Sequence, residues 1–195
     1  MIETIVNHET GADVRAKLNE LILSTPSVLF SNSATSLVTN TTTPTSVVPA
    51  GHGSNVIAAN TLVAGSIIRL TSWGYGESDA ALGGGFNEYL EFAGLSFFQG
   101  GFLDLSAVNA YWRFEGEVTI LTIGATGTCL ARVRLINFDG VGVWTDYMNG
   151  SNTGGPSTID TTANMTIDQK HEWLVASTDN NWITQHLRVE VSRAS

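Results

Sequence analysis

A succession of short segments rich in β-branched and aromatic residues, from about residue 55 onward, most constrains the fold. These segments span residues 66–73, 88–93, 110–123, 128–138, 165–167, 172–177 and 182–192. Breaks rich in glycine or asparagine separate them, at residues 74–76, 83–85, 100–101, 154–156 and 179–181. Short strands without intervening helices are typical of an all-β antiparallel sandwich or jelly roll. In the last segment, alternation predicts that Leu187, Val189 and Val191 point into the core.

The segments at residues 110–123 and 128–138 predict a hairpin whose register can be assigned. With Ala125 and Thr126 at the tip, one face is apolar and the other pairs Glu117 with Arg134. The pairs expected on the apolar face are Val118 with Val133, Ile120 with Ala131 and Thr122 with Cys129. Cys129, the single cysteine, is therefore predicted to be a small core residue rather than a nucleophile, because a buried thiol without a basic neighbour stays protonated.

Three aliphatic side chains near the hairpin tip do not fit a face turned to solvent. In the same register Leu121 lies opposite Leu130 on the polar face, with Ile123 beside them. Removing each side chain from water would contribute about 1.5–3 kcal/mol. A contact between subunits would bury all of them, so Leu121, Ile123 and Leu130 are predicted to form an oligomer interface.

The first 50 residues differ in character from the rest. Thr10 is a suitable N-cap, and an apolar stripe follows at helical spacing, which predicts a helix over about residues 11–23. The residues of that stripe are Val14, Leu18, Leu21 and Ile22. Residues 31–50 carry no charge and no strong periodicity, so we predict an extended linker, with a strand near residues 45–48 as an option. Residues 1–50 are thus a predicted attachment arm, and residues 51–195 a knob domain.

Composition restricts the function. The net charge is −9, with 18 acidic residues against nine basic ones, and nucleic-acid binding needs clustered basic residues, so no nucleic-acid partner is expected. The residues after Met1 lack a secretory signal, and no apolar run approaches the roughly 20 residues that cross a bilayer, so no membrane insertion is expected. Only 14% of the residues are charged whereas 43% are hydrophobic, which favours an oligomer over a lone monomer.

Residue patterns for catalysis or metal binding are weak. The four histidines are scattered and form no HxH or HxxxH pair, and neither a nucleophile elbow nor a phosphate-binding loop occurs. Glu115 and Glu117 lie on one strand face, as a glycosidase pair would, but an exposed, ion-paired face is the preferred interpretation. Glu88 and Glu91 fall on opposite faces of a strand. We therefore expect no enzyme activity, no cofactor and no metal.

Aromatic residues near predicted turns are the best remaining sign of ligand binding. Trp73 and Tyr75 flank a glycine turn, and Trp144 and Tyr147 lie in a predicted loop over residues 139–156. Exposed rings can stack on sugars, and nearby polar groups can bind hydroxyls. The candidate glycan-binding residues are Trp73, Tyr75, Trp144, Asp146, Tyr147 and Asn149, with Asn152 nearby. The alternative is that these rings close the end of the sandwich or an interface; Trp112, Phe114 and Trp173 are predicted core residues.

Several short pieces resemble phage fibre and virion-attached proteins. Residues 6–11 (VNHETG) and 14–21 (VRAKLNEL) resemble their N-terminal segment. The pieces similar to their C-terminal knob are residues 57–69 (IAANTLVAGSIIR), 124–127 (GATG), 158–163 (TIDTTA) and 166–168 (TID) before Trp173. Their order and spacing cover most of residues 55–192. The resemblance implies a TNF-like jelly roll that forms a homotrimer on a phage head fibre, a capsid decoration or a tail-fibre tip.

The function that the resemblance implies is structural, at the surface of a phage virion. Because no coiled-coil, collagen-like or β-helical shaft precedes the knob, we expect a short knob that decorates or cements the capsid. Its expected partners are two sister copies and the major capsid protein or another virion protein. The alternatives are a tail-fibre or spike protein that recognises host surface glycans, a cellular carbohydrate-binding or C1q-like module, and a capsule-degrading enzyme that uses Glu115 and Glu117.

Overall fold

A computed structural model of the chain describes residues 27–48, 55–77, 85–102, 110–138, 144–150 and 155–193, with the single positions Val14 and Lys17. For residues 98–102, 138 and 144–150 the backbone alone is described. From residue 27 onward these ranges contain 13 strands. They are β1 (Ser27–Asn32), β2 (Ser36–Thr39), β3 (Thr45–Ser46), β4 (Val56–Ile57), β5 (Ile67–Glu77), β6 (Gly85–Phe92), β7 (Leu95–Phe102), β8 (Ala110–Thr122), β9 (Gly127–Phe138), β10 (Trp144–Gly150), β11 (Ser157–Ile159), β12 (Met165–Trp173) and β13 (Asn181–Ser192).

The strands form two antiparallel sheets that enclose one hydrophobic core. In the described part of the chain, the larger sheet has the order β1-β13-β5-β8-β9-β10, with β2 beside β13 and β11 beside β9. The smaller sheet has the order β3-β12-β6-β7, with β4 beside β12. Early strands thus pair with late ones, β1 and β2 with β13, and β3 and β4 with β12. This nesting is the jelly-roll arrangement, so the predicted all-β antiparallel sandwich of jelly-roll type is confirmed.

Alternation along the strands decides which side chains enter the core. In β13 the predicted inward residues Leu187, Val189 and Val191 are buried. Three aromatic residues predicted for the core, Trp112, Phe114 and Trp173, are buried as well. The sequence pattern therefore identified the buried face of these strands correctly.

The predicted hairpin of β8 and β9 forms, but its register differs by two residues. Ile120 lies opposite Cys129 rather than opposite Ala131, so the predicted pairs are wrong. A bulge between Ile120 and Thr122 displaces the end of β8, and the sequence pattern did not reveal it. Since a shift of two residues keeps side chains on the same face, five of the six residues predicted for the core face are buried, Cys129 included. The exception is Thr122, which follows the bulge and is exposed, so its predicted burial is wrong.

The segment from residue 27 to residue 48 belongs to the sandwich and is not a separate linker. Its strands pair with β12 and β13, and Phe30, Val38 and Val47 are buried in the core. The prediction of an attachment arm that reaches residue 50 is therefore wrong for this segment, although β3 falls within the strand expected near residues 45–48. Apart from the position of Val14, the predicted helix with Leu18, Leu21 and Ile22 lies outside the described residues.

Gly74 lies in the middle of β5 and not in the predicted turn. It pairs with Thr184 of β13 on one side and with Trp112 of β8 on the other. A Cβ atom at this position would overlap the carbonyl oxygen of Ile183 and would lie 2.9 Å from Cζ2 of Trp112. Glycine is required here because two strands and a tryptophan ring approach the backbone closely.

Replacing Gly74 by alanine is expected to destabilise the fold by about 3 kcal/mol or more, because the clash involves backbone atoms that cannot move independently. Urea unfolding followed by tryptophan fluorescence measures the loss. Gly116→Ala is the matched control, since the atoms nearest to its Cβ would belong to the Leu90 side chain and not to the backbone, the closest at 2.9 Å. Equal losses in the two variants would contradict the backbone explanation.

Candidate functional site

The candidate site is the outer face, the side of the larger sheet that is turned away from the core. Three cross-strand rows run over β13, β5, β8 and β9, namely Glu190–Arg69–Glu117–Arg132, Arg188–Thr71–Glu115–Arg134 and His186–Trp73–Arg113–Ile136. A groove of about 740 Å³ follows the middle of these rows. Its charged lining, here named the charged band, consists of Arg69, Arg113, Glu115, Glu117, Arg132 and Arg134.

The glutamates of the charged band are paired with arginines. Nε of Arg69 lies 2.9 Å from Oε2 of Glu117. Glu115 contacts Arg113 at 2.7 Å and Arg134 at 3.6 Å. The predicted Glu117–Arg134 pair is therefore wrong, as the register shift requires, but both glutamates lie on the predicted face. The paired side chains are 31–55% exposed, so each pair contributes no more than about 1 kcal/mol to stability.

The predicted subunit-contact residues lie together near the tip of the β8–β9 hairpin. Leu121 is 37% exposed and Ile123 is 55% exposed, whereas Leu130 is half-buried. Thr119, and not Leu121, lies directly opposite Leu130. The hairpin end of the outer face thus presents apolar side chains that the single chain leaves in contact with solvent.

The opposite end of the outer face is aromatic. Trp73 is 43% exposed and stacks on His186 with ring centroids 3.9 Å apart. Tyr111 is 54% exposed and lies opposite the half-buried Tyr75. Trp73 was predicted at a strand end beside a turn, but β5 continues past it as far as Glu77. Two of the candidate glycan-binding residues, Trp73 and Tyr75, therefore lie within a sheet.

The other candidate glycan-binding residues lie on β10, which pairs with β9 along its whole length. The prediction that they belong to a loop is therefore wrong. The backbone alone is described for these four residues, Trp144, Asp146, Tyr147 and Asn149, whereas Asn152 lies outside the described residues. The strand places their backbone at an edge of the larger sheet.

A second polar feature, which was not predicted from the sequence, lies inside the sandwich. Four fully buried side chains, named the buried quartet, form a hydrogen-bonded chain: Ser72, Gln169, Glu88 and His171. The Ser72 hydroxyl donates to Oε1 of Gln169, and Nε2 of Gln169 donates to Oε2 of Glu88 at 2.9 Å. Oε1 of Glu88 lies 2.6 Å from Nδ1 of His171. These hydrogen bonds connect Ser72 of the larger sheet to the other three residues, which belong to the smaller sheet.

Burial determines the protonation of Glu88 and His171, the two titratable residues of the buried quartet. It raises the pKa of the Glu88 carboxyl well above its ordinary value, and the hydrogen bond from Gln169 opposes this in part. It also lowers the pKa of His171 well below its ordinary value. Both directions favour neutral groups, so the Glu88 carboxyl donates its proton to Nδ1 of a neutral imidazole.

Aromatic rings surround the histidine of the quartet. His171 stacks on Trp182 at 4.3 Å, and Trp182 stacks in turn on Trp112 at 4.3 Å. Trp173 meets His171 edge-on at 4.6 Å. Nε2 of His171 and the indole nitrogens of the three tryptophans are buried, and within the described residues they have no hydrogen-bond partner. The quartet is thus enclosed in the core, where it can hold the sheets together but cannot meet a substrate.

Other candidate chemistry is sparse in the described ranges. Cys129 is buried, and burial raises the pKa of its thiol to about 11, as expected for a core residue. Among the residues that the structure describes, no three His, Cys, Asp or Glu side chains form a group that could hold a metal ion. The same residues include no helix with the length and apolar character needed to cross a membrane.

Two comparisons with known proteins give no relatives. No protein-family model matches the chain, and a search of curated proteins finds no match either. The candidate site therefore rests on its own geometry: a sheet face that no described strand covers, with a charged groove between an aliphatic end and an aromatic end.

Proposed function

We propose that this chain is a structural protein of a phage virion, a homotrimeric jelly-roll knob that decorates or cements the particle surface. The observation that carries the proposal is the outer face, on which Leu121 and Ile123 are exposed beside the half-buried Leu130. Apolar side chains grouped on a sheet face are typical of a surface that another protein covers. The low proportion of charged residues, 14%, supports the same conclusion.

The position on a particle is supported by the resemblance of the sequence to phage head-fibre, decoration and tail-fibre proteins. In the proposed arrangement, residues before β1 attach the knob to the major capsid protein or another virion protein. Electron microscopy of virions labelled with an antibody against this chain tests the proposal directly. Label on the capsid surface is the expected result, and virions without label would rule out a virion role.

Replacing Leu121 by aspartate is expected to dissociate the trimer, because a charge would be buried in the subunit contact without a partner. Light scattering should give the wild type about three times the 20.8 kDa of one chain, and the variant the mass of one chain. Val175→Asp is the matched control, since Val175 is 44% exposed and lies between β12 and β13, away from the hairpin tip. A wild-type mass of one chain at all concentrations would refute the trimer.

A further inference from the structure

We infer that the groove of the charged band receives an acidic surface of a second copy of this chain, an inference that rests on the proposed homotrimer. The subunit contact then has two unlike halves, a basic groove on one copy and an acidic surface on the next. The hairpin tip with Leu121 is the apolar margin of that contact.

The distribution of charge supports a partner of the same sequence. The three rows of the outer face hold five arginines and three glutamates. Since the chain has nine basic and 18 acidic residues, four basic and 15 acidic residues remain elsewhere. The three rows thus carry a net charge of +2 in a molecule whose net charge is −9, so the complementary charge is present on each neighbouring copy.

Arg132 is the member of the charged band that is most available to an external partner. It is exposed, and within the described residues it forms no ion pair. Its neighbour in the row, Glu117, is already paired with Arg69 at 2.9 Å. A guanidinium offers five N–H donors in a planar fork that fits a carboxylate. A carboxylate from outside the chain can therefore bind Arg132 without breaking an existing pair.

The groove borders suit a protein partner better than a free acidic polysaccharide. Trp73 and Tyr111 are exposed at one end, and Leu121 and Ile123 at the other. Tryptophan, tyrosine and arginine are the residues most enriched in protein interfaces, and apolar patches beside a polar groove exclude water from it. A polysaccharide would leave the aliphatic end uncovered.

Two unlike surfaces that meet produce a head-to-tail contact. Such a contact closes into a ring of three copies only when the two surfaces of one copy are inclined to each other. Surfaces on opposite sides of the sandwich would instead produce an open filament. A closed trimer therefore requires that the groove and the acidic surface of one copy do not lie on opposite sides of the sandwich.

The test measures the concentration at which the trimer half dissociates, by light scattering, for the wild type and for Arg132→Glu. The variant is expected to raise that concentration at least about ten-fold, because two negative surfaces would then meet. Raising NaCl from about 0.05 M to about 0.5 M should also weaken the wild-type trimer. Lys170→Glu is the matched control, as it makes the same charge change on the smaller sheet, where Lys170 pairs with Glu91 at 2.6 Å, and it should leave the trimer unchanged.

The outcomes separate this inference from the proposed function. A wild-type trimer that neither Arg132→Glu nor salt weakens would overturn the inference and leave the trimer in place. A wild type that is monomeric throughout would overturn both. If the trimer binds alginate, a polyuronate, through a groove that Arg132→Glu inactivates, the groove serves an external ligand and the inference fails.

Discussion

Trp182→Ala is expected to destabilise the fold by about 3–5 kcal/mol, which is a large fraction of the stability of a domain of this size. Trp182 is fully buried and stacks between Trp112 and His171, each with ring centroids 4.3 Å away. The ring of Phe86 lies at 4.9 Å. Removing the indole leaves a cavity bordered by three rings from both sheets, which the rigid strands cannot close.

Urea unfolding at a fixed protein concentration measures this loss, and Trp73→Ala is the matched control. Trp73 is also a strand tryptophan that stacks on a histidine, but it is 43% exposed on the outer face. Its removal is expected to cost about 1 kcal/mol or less, because little apolar surface leaves the core. If both variants lose the same free energy of unfolding, the stacked rings of Trp112, Trp182 and His171 are not a main source of the stability of the sandwich.

The core of the long strands could be predicted from sequence because its signal is local. Alternation in β8, β9 and β13 places aliphatic residues on one face, so Ile120, Cys129 and Val189 were recognised as inward-pointing. The register of the hairpin could not be predicted, because a bulge at the end of β8 changes the pairing without changing the pattern. The alternation of apolar and polar residues shows which face of a strand is buried, but it does not show how the strand is paired with its neighbour.

Strands β1 and β2 were missed for a different reason, whereas β3 falls within the strand expected near residues 45–48. Residues 31–50 are uncharged and weakly periodic, and their partners are β12 and β13, at the far end of the chain. No local pattern reports a pairing over such a separation. Gly74 was wrongly predicted to lie in a turn, because the sequence alone does not distinguish a glycine required for close backbone approach from one required for a turn.

The burial of Glu88 could have been inferred. In β6 it shares a face with Phe86, Leu90 and Phe92, and all three are buried. The predicted placement of Glu88 and Glu91 on opposite faces is correct, and the large apolar residues that share the face of Glu88 indicate that this face enters the core. A carboxylate among aromatic residues at alternate positions is a sign of a buried acid that needs a partner on a neighbouring strand, here His171.

The wild-type protein is expected to lose stability as the pH rises above about 6.5, and Glu88→Gln should remove much of that loss. In the folded protein, Glu88 and His171 together hold one proton, on the carboxyl group, over a wide pH range. This is because burial raises the carboxyl pKa and lowers the imidazole pKa. In the unfolded chain the two groups titrate near their ordinary values of 4.5 and 6.5. The difference in bound protons between the two states sets the slope of stability against pH.

Between pH 4.5 and 6.5 the two groups also hold one proton in the unfolded chain, on the histidine, so they do not make the free energy of unfolding depend on pH. Above pH 6.5 the unfolded chain holds none and the folded pair still holds one, so stability falls as pH rises, by more than about 1 kcal/mol per unit, until the folded pair loses its proton. Below pH 4.5 the unfolded chain holds two protons and the folded pair one, so stability falls as pH falls.

Glu88→Gln keeps the shape of the side chain and its contacts with Gln169 and His171, but it cannot carry the titrating proton. Urea unfolding from pH 5 to about pH 9 should therefore give a falling curve for the wild type and a nearly flat one for the variant above pH 6.5. Asp168→Asn is the control: burial raises the pKa of Asp168 to about 6, so its influence ends below the alkaline range. A wild-type curve that does not fall above pH 6.5, or one that falls equally in Glu88→Gln, would show that the buried pair does not retain its proton.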